Sequence, residues 1–145
     1  DTLGAHEFFK FEKSTPTILI LGGSQGSQII NESILEVLPQ LVEHYQVIHQ
    51  TGKANFAQVS SMAGVILSKS SFKDRYRPFD YLDDFSMRMS AGAANVVVSR
   101  AGSTIFEIAT WGLPSIVIPI SEAVSHDQTK NAFNYARSRC GDRRG

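Results

Sequence analysis

Residues 95–119 read NVVVSRAGSTIFEIATWGLPSIVIP, and the fold of the chain follows from how this stretch divides. Asn95–Ser99 is a short β-branched run, the composition of a strand buried on both faces. Arg100, Ala101 and Gly102 break it. From Ser103 apolar residues recur at Ile105, Ile108 and Ala109, which is helical spacing. Gly112 and Pro114 end that helix, and Ser115–Pro119 makes a second buried strand. This β–loop–α–β unit places Gly102 in the turn, where a missing Cβ lets a ligand approach the backbone. The helix that follows begins with unpaired N–H groups pointing outward, a natural seat for phosphate. Glu107 lies on its first turn, within reach of the same crevice.

The rest of the chain repeats this alternation. Residues 1–13 hold Phe8, Phe9 and Phe11 between charged residues and read as a short docking helix. Pro16 precedes a buried strand, Thr17–Leu21 (TILIL), then Gly22-Gly23-Ser24-Gln25-Gly26-Ser27 and a helix carrying Ile29, Ile30, Ile34, Leu35, Val37 and Leu38 on or near one face. Pro39 either kinks that helix or makes it restart for Gln40–His44. Gln46–Gln50 (QVIHQ) is the next strand, with Thr51-Gly52-Lys53 as its turn. Asn55–Met62 reads as a helix and Val65–Leu67 as a short strand, followed by a polar loop over Ser68–Asp74. Pro78 permits only an edge or irregular strand in Arg75–Tyr81. Leu82-Asp83-Asp84 starts another helix, acids being favoured at that end. Ser125 or Asp127 would cap a last helix carrying Ala132, Phe133 and Ala136, and the Arg-rich end from Arg137 to Gly145 is expected to fray. The alternation predicts an α/β domain, a parallel sheet with helices on both faces, and ligands at the carboxyl ends of its strands.

Composition narrows the function classes. The 145 residues fit one domain, 42% hydrophobic and 19% charged, as in ordinary globular proteins. Fourteen basic and fourteen acidic side chains balance, so net charge points to neither nucleic acid nor a membrane surface as partner. The single cysteine, Cys140, excludes an internal disulfide and fits a reducing compartment. No apolar run approaches a membrane span, and Asp1–Lys13 lacks the architecture of a signal peptide. The expected location is cytoplasmic, and a chain that begins with Asp1 is also compatible with an excised fragment.

Three segments could carry chemistry. Gly22–Gly26 follows a strand and opens a helix, the context of a phosphate-binding turn, but matches neither the dinucleotide fingerprint nor a P-loop. Its alternative is a tight turn whose glycines serve helix–strand packing. A dinucleotide site also wants an acid at the end of the second strand, and His49-Gln50-Thr51-Gly52 has none, which counts against a dehydrogenase. Arg100-Ala101-Gly102-Ser103-Thr104 supplies a second such turn, in which Arg100 either neutralises a diphosphate or pairs with a nearby Asp. Glu107 suits a ribose diol; its alternative is a solvated helix carboxylate. In Asp127-Gln128-Thr129-Lys130-Asn131, Gln128 and Asn131 share a helix face and offer the donor and acceptor groups that sugar hydroxyls need, or form a polar cap. His126 with Asp127 has no second ligand at metal spacing, the remaining histidines being His6, His44 and His49, so no metal site is expected.

GGSQGSQIIN (Gly22–Asn31), HQTG (His49–Gly52), YLDDF (Tyr81–Phe85), SRAGSTIFEIATWGLP (Ser99–Pro114) and DQTKNA (Asp127–Ala132) together resemble the carboxyl-terminal, donor-binding domain of MurG-type N-acetylglucosamine transferases. The likeness runs from about Thr17 to Ala136, with the motifs in the family's order. It implies half of a GT-B glycosyltransferase, two Rossmann-like domains with UDP-N-acetylglucosamine between them. By position, Gly23, Ser24, Gln25 and Gly26 would contact the diphosphate. Backbone at Leu82 would read the uracil edge. Arg100, Ala101, Gly102, Ser103 and Thr104 would face diphosphate and sugar, and Glu107 would hold the ribose. Gln128, with Asp127 and with Asn131 in support, would bond the sugar hydroxyls. The family usually has Gln-Gln at Asp127-Gln128, and its segment between Gly102 and Glu107 is often one residue longer.

In that family the acceptor domain and the catalytic base precede the equivalent of Asp1, and a closing strand and helix follow Ala136. The resemblance therefore implies a half-enzyme: no catalytic residue in this chain, no cofactor or metal, and a lipid-linked acceptor engaged through a missing domain or a partner chain. It would work in the cytoplasm or peripherally at the inner face of the membrane. A non-catalytic nucleotide-binding or docking module, a separate donor subunit of a two-chain transferase, and a dinucleotide-dependent oxidoreductase are the other readings.

Overall fold

The computed structural model describes residues 2–22, 28–100 and 111–118. In chain order the elements are α1 (Thr2–Phe9), β1 (Thr17–Leu21), α2 (Gln28–His44), β2 (Gln46–Gln50), α3 (Phe56–Ile66), β3 (Tyr76–Phe79), α4 (Asp84–Ala93), β4 (Val96–Arg100) and β5 (Ser115–Ile118). The five strands form one sheet in the order β3-β2-β1-β4-β5, with every neighbouring pair parallel. All five residues of β1 are buried, as the apolar run Ile18–Leu21 requires of a strand covered on both sides.

Alternation along the strands sorts the core into two layers. Ile18, Ile20, Val47 and Val98 pack with Ile30, Ile34 and Leu38 of α2 and Val59 and Ala63 of α3. Leu19, Leu21, Ile48 and Val97 face the other way, against Ala5 and Phe9 of α1 and Ala93 of α4. The expected helices on both faces are thus α2 and α3 on one side and α1 and α4 on the other.

Local signals account for most element ends. The Asp83 carboxylate accepts from the Ser86 N–H at 2.8 Å and caps α4, and those bonds hold its carboxyl below its ordinary pKa. Pro78 stands in β3, at one end of the strand order, where a missing donor is tolerated. Gly112, just past the helical turn at Trp111, takes φ +69°, the left-handed conformation of a helix stop. α1 ends on Lys10 at φ 59°, with Phe11 N donating to His6 O and Lys10 N to Glu7 O, a Schellman closure in which lysine stands where glycine is usual. α2 neither stops nor restarts at Pro39 but runs through it to His44. Its last carbonyls, at Val42 and Glu43, accept from Arg75 Nη1 at 2.8 and 3.0 Å.

One segment differs from expectation. Val65–Leu67 is no strand: Val65 and Ile66 finish α3, and Leu67 is its C-cap, its N–H bonded to Ala63 O. Val59, Ala63 and Leu67 form a buried stripe at i, i+4, i+8, so the helical period continues through residues whose β-branching suggested a strand.

Beneath the sheet, Gln46 fastens the approach to β1. Its Oε1 accepts from Glu12 N at 2.7 Å, and its Nε2 donates to Glu12 O, Thr15 O and Thr17 Oγ1 at 3.0–3.1 Å. Asn95 closes the other side, accepting from Thr17 N at 2.8 Å.

Leu38, fully buried in the α2 layer, reports on this core. Leu38→Ala is expected to lower the unfolding free energy by about 3 kcal/mol, read from urea titration, with an unchanged circular-dichroism spectrum.

Candidate functional site

The strand order reverses at β1: β2 and β3 lie on one side and β4 and β5 on the other. In an open parallel sheet the carboxyl ends beside such a reversal are where ligands bind, because the loops leaving there part to opposite sides. Leu21, the last residue of β1, pairs with Gln50 of β2 and Ser99 of β4; Gln50 pairs in turn with Phe79, and Arg100 with Ile118. The strands leading into Gly22–Ser27, Thr51–Asn55, Asp80–Asp83 and the segment after Arg100 therefore end side by side on one rim. The two glycine-bearing turns singled out in the sequence follow the adjacent strands β1 and β4.

Of the expected contact residues, Leu82 and the backbone of Arg100 are described. Gly23, Ser24, Gln25, Gly26, Ala101, Gly102, Ser103, Thr104, Glu107, Asp127, Gln128 and Asn131 lie outside the described residues, as does the side chain of Arg100. Leu82 buries its side chain at 2% exposure in the α1–α4 layer, and its N–H donates to Gln50 Oε1 at 2.9 Å. Beside it Tyr81 is exposed, with the Lys53 ammonium 5.6 Å from its ring centre. At the end of β4 the buried Ser99 hydroxyl lacks a hydrogen-bond partner among the described residues.

The rim also contains a polar assembly to which the sequence reading gave no role. His49, fully buried, stands between Tyr76 and Asn31: its Nδ1 is 2.7 Å from the Tyr76 hydroxyl and its Nε2 2.9 Å from Asn31 Oδ1. Asn31 Nδ2 donates to Thr51 O at 3.1 Å, so Asn31 Oδ1 needs a donor, and His49 Nε2 must carry the hydrogen. His49 Nδ1 is then bare and accepts from the tyrosine. The bonds run one way, from Tyr76 through His49 and Asn31 to Thr51. Burial pushes the His49 pKa down to about 3 and raises that of Tyr76, so both are neutral.

The turn after His49 and Gln50 extends the ladder. Thr51 N donates to Phe79 O at 2.9 Å and Gly52 N to Asp80 O at 3.1 Å, with Gly52 at φ 89°. The visible signal for this assembly was a run of polar residues, His49-Gln50-Thr51, closing an otherwise apolar strand. Gln50 at the end of β2 is itself buried and bonded to Leu82, so no carboxylate stands where a dinucleotide ribose would be held.

Comparison with known proteins gives a consistent result. The profile of the glycosyltransferase family 28 C-terminal domain matches residues 17–141. The UDP-N-acetylglucosamine--N-acetylmuramyl-(pentapeptide) pyrophosphoryl-undecaprenol N-acetylglucosamine transferase of Treponema denticola is 34% identical over 128 residues, 86% of this chain and 32% of that protein. The transferase of the same name numbered 2 in Bacillus cereus is 36% identical over 132 residues, 90% of this chain and 34% of its own length. The chain thus spans about a third of the length of the curated relatives it matches. Among solved structures, MurG of Acinetobacter baumannii superposes with TM-score 0.60 at 25% identity, over 92% of this chain and 37% of that one. A UDP-N-acetylglucosamine 2-epimerase structure from Listeria monocytogenes superposes with TM-score 0.59 over 90% of this chain and 38% of its own, and at 16% identity shares the fold. The Rossmann-like parallel sheet expected from the sequence is the fold observed.

The neutral, buried His49 has a consequence for stability. Its folded pKa, about 3, lies below its ordinary 6.5, so the unfolded chain takes up the proton first as pH falls. The contribution is complete above pH 6.5 and is lost progressively as pH falls toward 3, with a limiting slope of about 1.4 kcal/mol per pH unit. Urea unfolding between about pH 6.5 and 5, above the carboxylate range, is expected to show this slope and His49→Gln to flatten it.

Proposed function

Since the chain belongs to the glycosyltransferase family 28 C-terminal domain family, we propose that it is the donor-binding half of an inverting hexosyltransferase. The donor in this reading is UDP-N-acetylglucosamine and the acceptor a lipid-linked sugar, lipid I of peptidoglycan synthesis. The observation that carries it is the reversal of strand order at β1 and β4, with a glycine-bearing stretch of sequence following each strand, inside the matched segment.

Chemically, an acceptor hydroxyl attacks the anomeric carbon, the bond to the diphosphate breaks, and UDP leaves carrying the negative charge. This half would stabilise that charge with the backbone N–H groups of Gly23–Gly26 ahead of α2 and with Arg100 and Ser103–Thr104. Glu107 would hold the ribose diol, the backbone at Leu82 the uracil, and Asp127, Gln128 and Asn131 the sugar hydroxyls. No catalytic base is assigned within these residues. Acceptor binding and the base would come from a further domain or a partner chain, working at the cytoplasmic face of the membrane; the chain spans about a third of its relatives' length. Among the described residues no helix is long and apolar enough to cross a membrane. Transfer is proposed to need neither metal nor cofactor.

UDP and UDP-N-acetylglucosamine at about a hundred times their dissociation constants should each stabilise the fold by about 2.7 kcal/mol, seen as a raised Tm, with NAD inert and EDTA without effect. No response to any of the three would favour a docking module instead. Glu107→Ala should keep the fold and weaken UDP binding about tenfold or more by calorimetry; an unchanged Kd would remove Glu107 from the ribose site.

A further inference from the structure

Strand β2 ends with two polar residues that reach to opposite sides of the sheet. His49 lies on the side of Val47, toward α2, and its Nε2–H donates to Asn31 Oδ1 at 2.9 Å. Asn31 is on the first turn of α2, the helix that follows Gly22–Ser27. Gln50 lies on the side of Ile48, toward α1 and α4, and its Oε1 accepts from Leu82 N at 2.9 Å. Between them the Thr51 carbonyl takes the return bond from Asn31, and Thr51 N holds Phe79 O. Asn31, His49, Gln50 and Thr51 are all at most 3% exposed.

Packing alone does not call for this arrangement. Aliphatic side chains would fill the same space without the desolvation that two amides, an imidazole and a hydroxyl incur. Hydrogen bonds add fixed distance and direction, and here they join one strand end to two segments from opposite layers, the start of α2 and the stretch before α4. We propose that His49 and Gln50 are positioning residues for the donor site. His49, through Asn31, sets the start of α2 for the diphosphate, and Gln50, through Leu82, sets the loop that receives the base. Neither residue touches the ligand. Because both belong to one strand end, the spacing between the two halves of the nucleotide site is fixed by consecutive residues of one backbone. The inference rests on the donor-site reading above.

The two ties are separable by ligand. Calorimetric affinities for uridine, UDP and CDP are measured on the full chain and on Asn31→Ala and Gln50→Leu variants that keep the native circular-dichroism spectrum. His49→Asn, whose shorter amide cannot span Tyr76 and Asn31, replaces the first variant if that one does not fold. Asn31→Ala is expected to lower the UDP-to-uridine affinity ratio about tenfold while uridine affinity stays within about twofold. Gln50→Leu is expected to keep that ratio and to lower the preference for UDP over CDP about tenfold. An equal loss for all three ligands in both folded variants, the mark of a merely structural role, overturns the inference, as does no change in either. An unaltered chain that fails to bind UDP removes the donor-site reading itself, whereas UDP binding without the split removes the positioning role alone.

Discussion

Strand β1 can be buried only if it has a hydrogen-bonded neighbour on each edge and a helical layer on each face, and the rest of the domain follows from meeting those four demands. Ile18–Leu21 carry only apolar side chains, and the Thr17 hydroxyl is bonded to Gln46. β2 and β4 complete its backbone bonding, and the layers of α2–α3 and α1–α4 cover it. A strand so enclosed delivers its chain to the carboxyl edge, where a residue without a side chain, Gly22, is the first to leave the ladder. Because β4 lies on the opposite flank from β2, the strand order reverses between β1 and β4. In open parallel sheets such a reversal is where a ligand crevice forms, so its place is set by strand order before any contact residue is considered.

Much of this was legible from the residues. Short apolar or β-branched runs bounded by glycine, proline and polar residues marked β1, β4 and β5 within about a residue of their ends, and QVIHQ, apolar only at Val47 and Ile48, marked β2. Pro78 marked its strand as peripheral and Asp83 marked a helix start, because each acts through its own backbone or the next turn. Val65–Leu67 was misread because β-branching is a weak preference, and here the buried stripe of Val59, Ala63 and Leu67 outweighed it. The family motifs located the rim but not its internal bonding. His49 meets Asn31 and Tyr76, 18 and 27 positions away, and no local pattern shows that a strand-end histidine will be neutral, buried and bonded twice. Leu82 is likewise apolar in sequence, while its connection to the rim is through its N–H.

Polar groups inside a core are costly unless every one is paired, and then they favour one arrangement over its near neighbours. The chain from Tyr76 to Thr51 meets that condition, each donor facing an acceptor. An aliphatic core at the same place would tolerate small slides of α2 against β2. The imidazole does not, since a shift along the strand would break a bond at both ring nitrogens. The rim is therefore held by directional bonding, while the body of the domain is held by non-directional packing.

Gln46 shows how the domain is moored. One amide holds the backbone at Glu12, Thr15 and the Thr17 hydroxyl, so the chain arriving at β1 is pinned where the strand begins. A pull applied from the amino-terminal side meets α1, packed in the α1–α4 layer, then that anchorage, and only then runs lengthwise along a strand clasped on both edges. The ladder is loaded in shear, many bonds sharing the strain at once, instead of being unzipped one rung at a time.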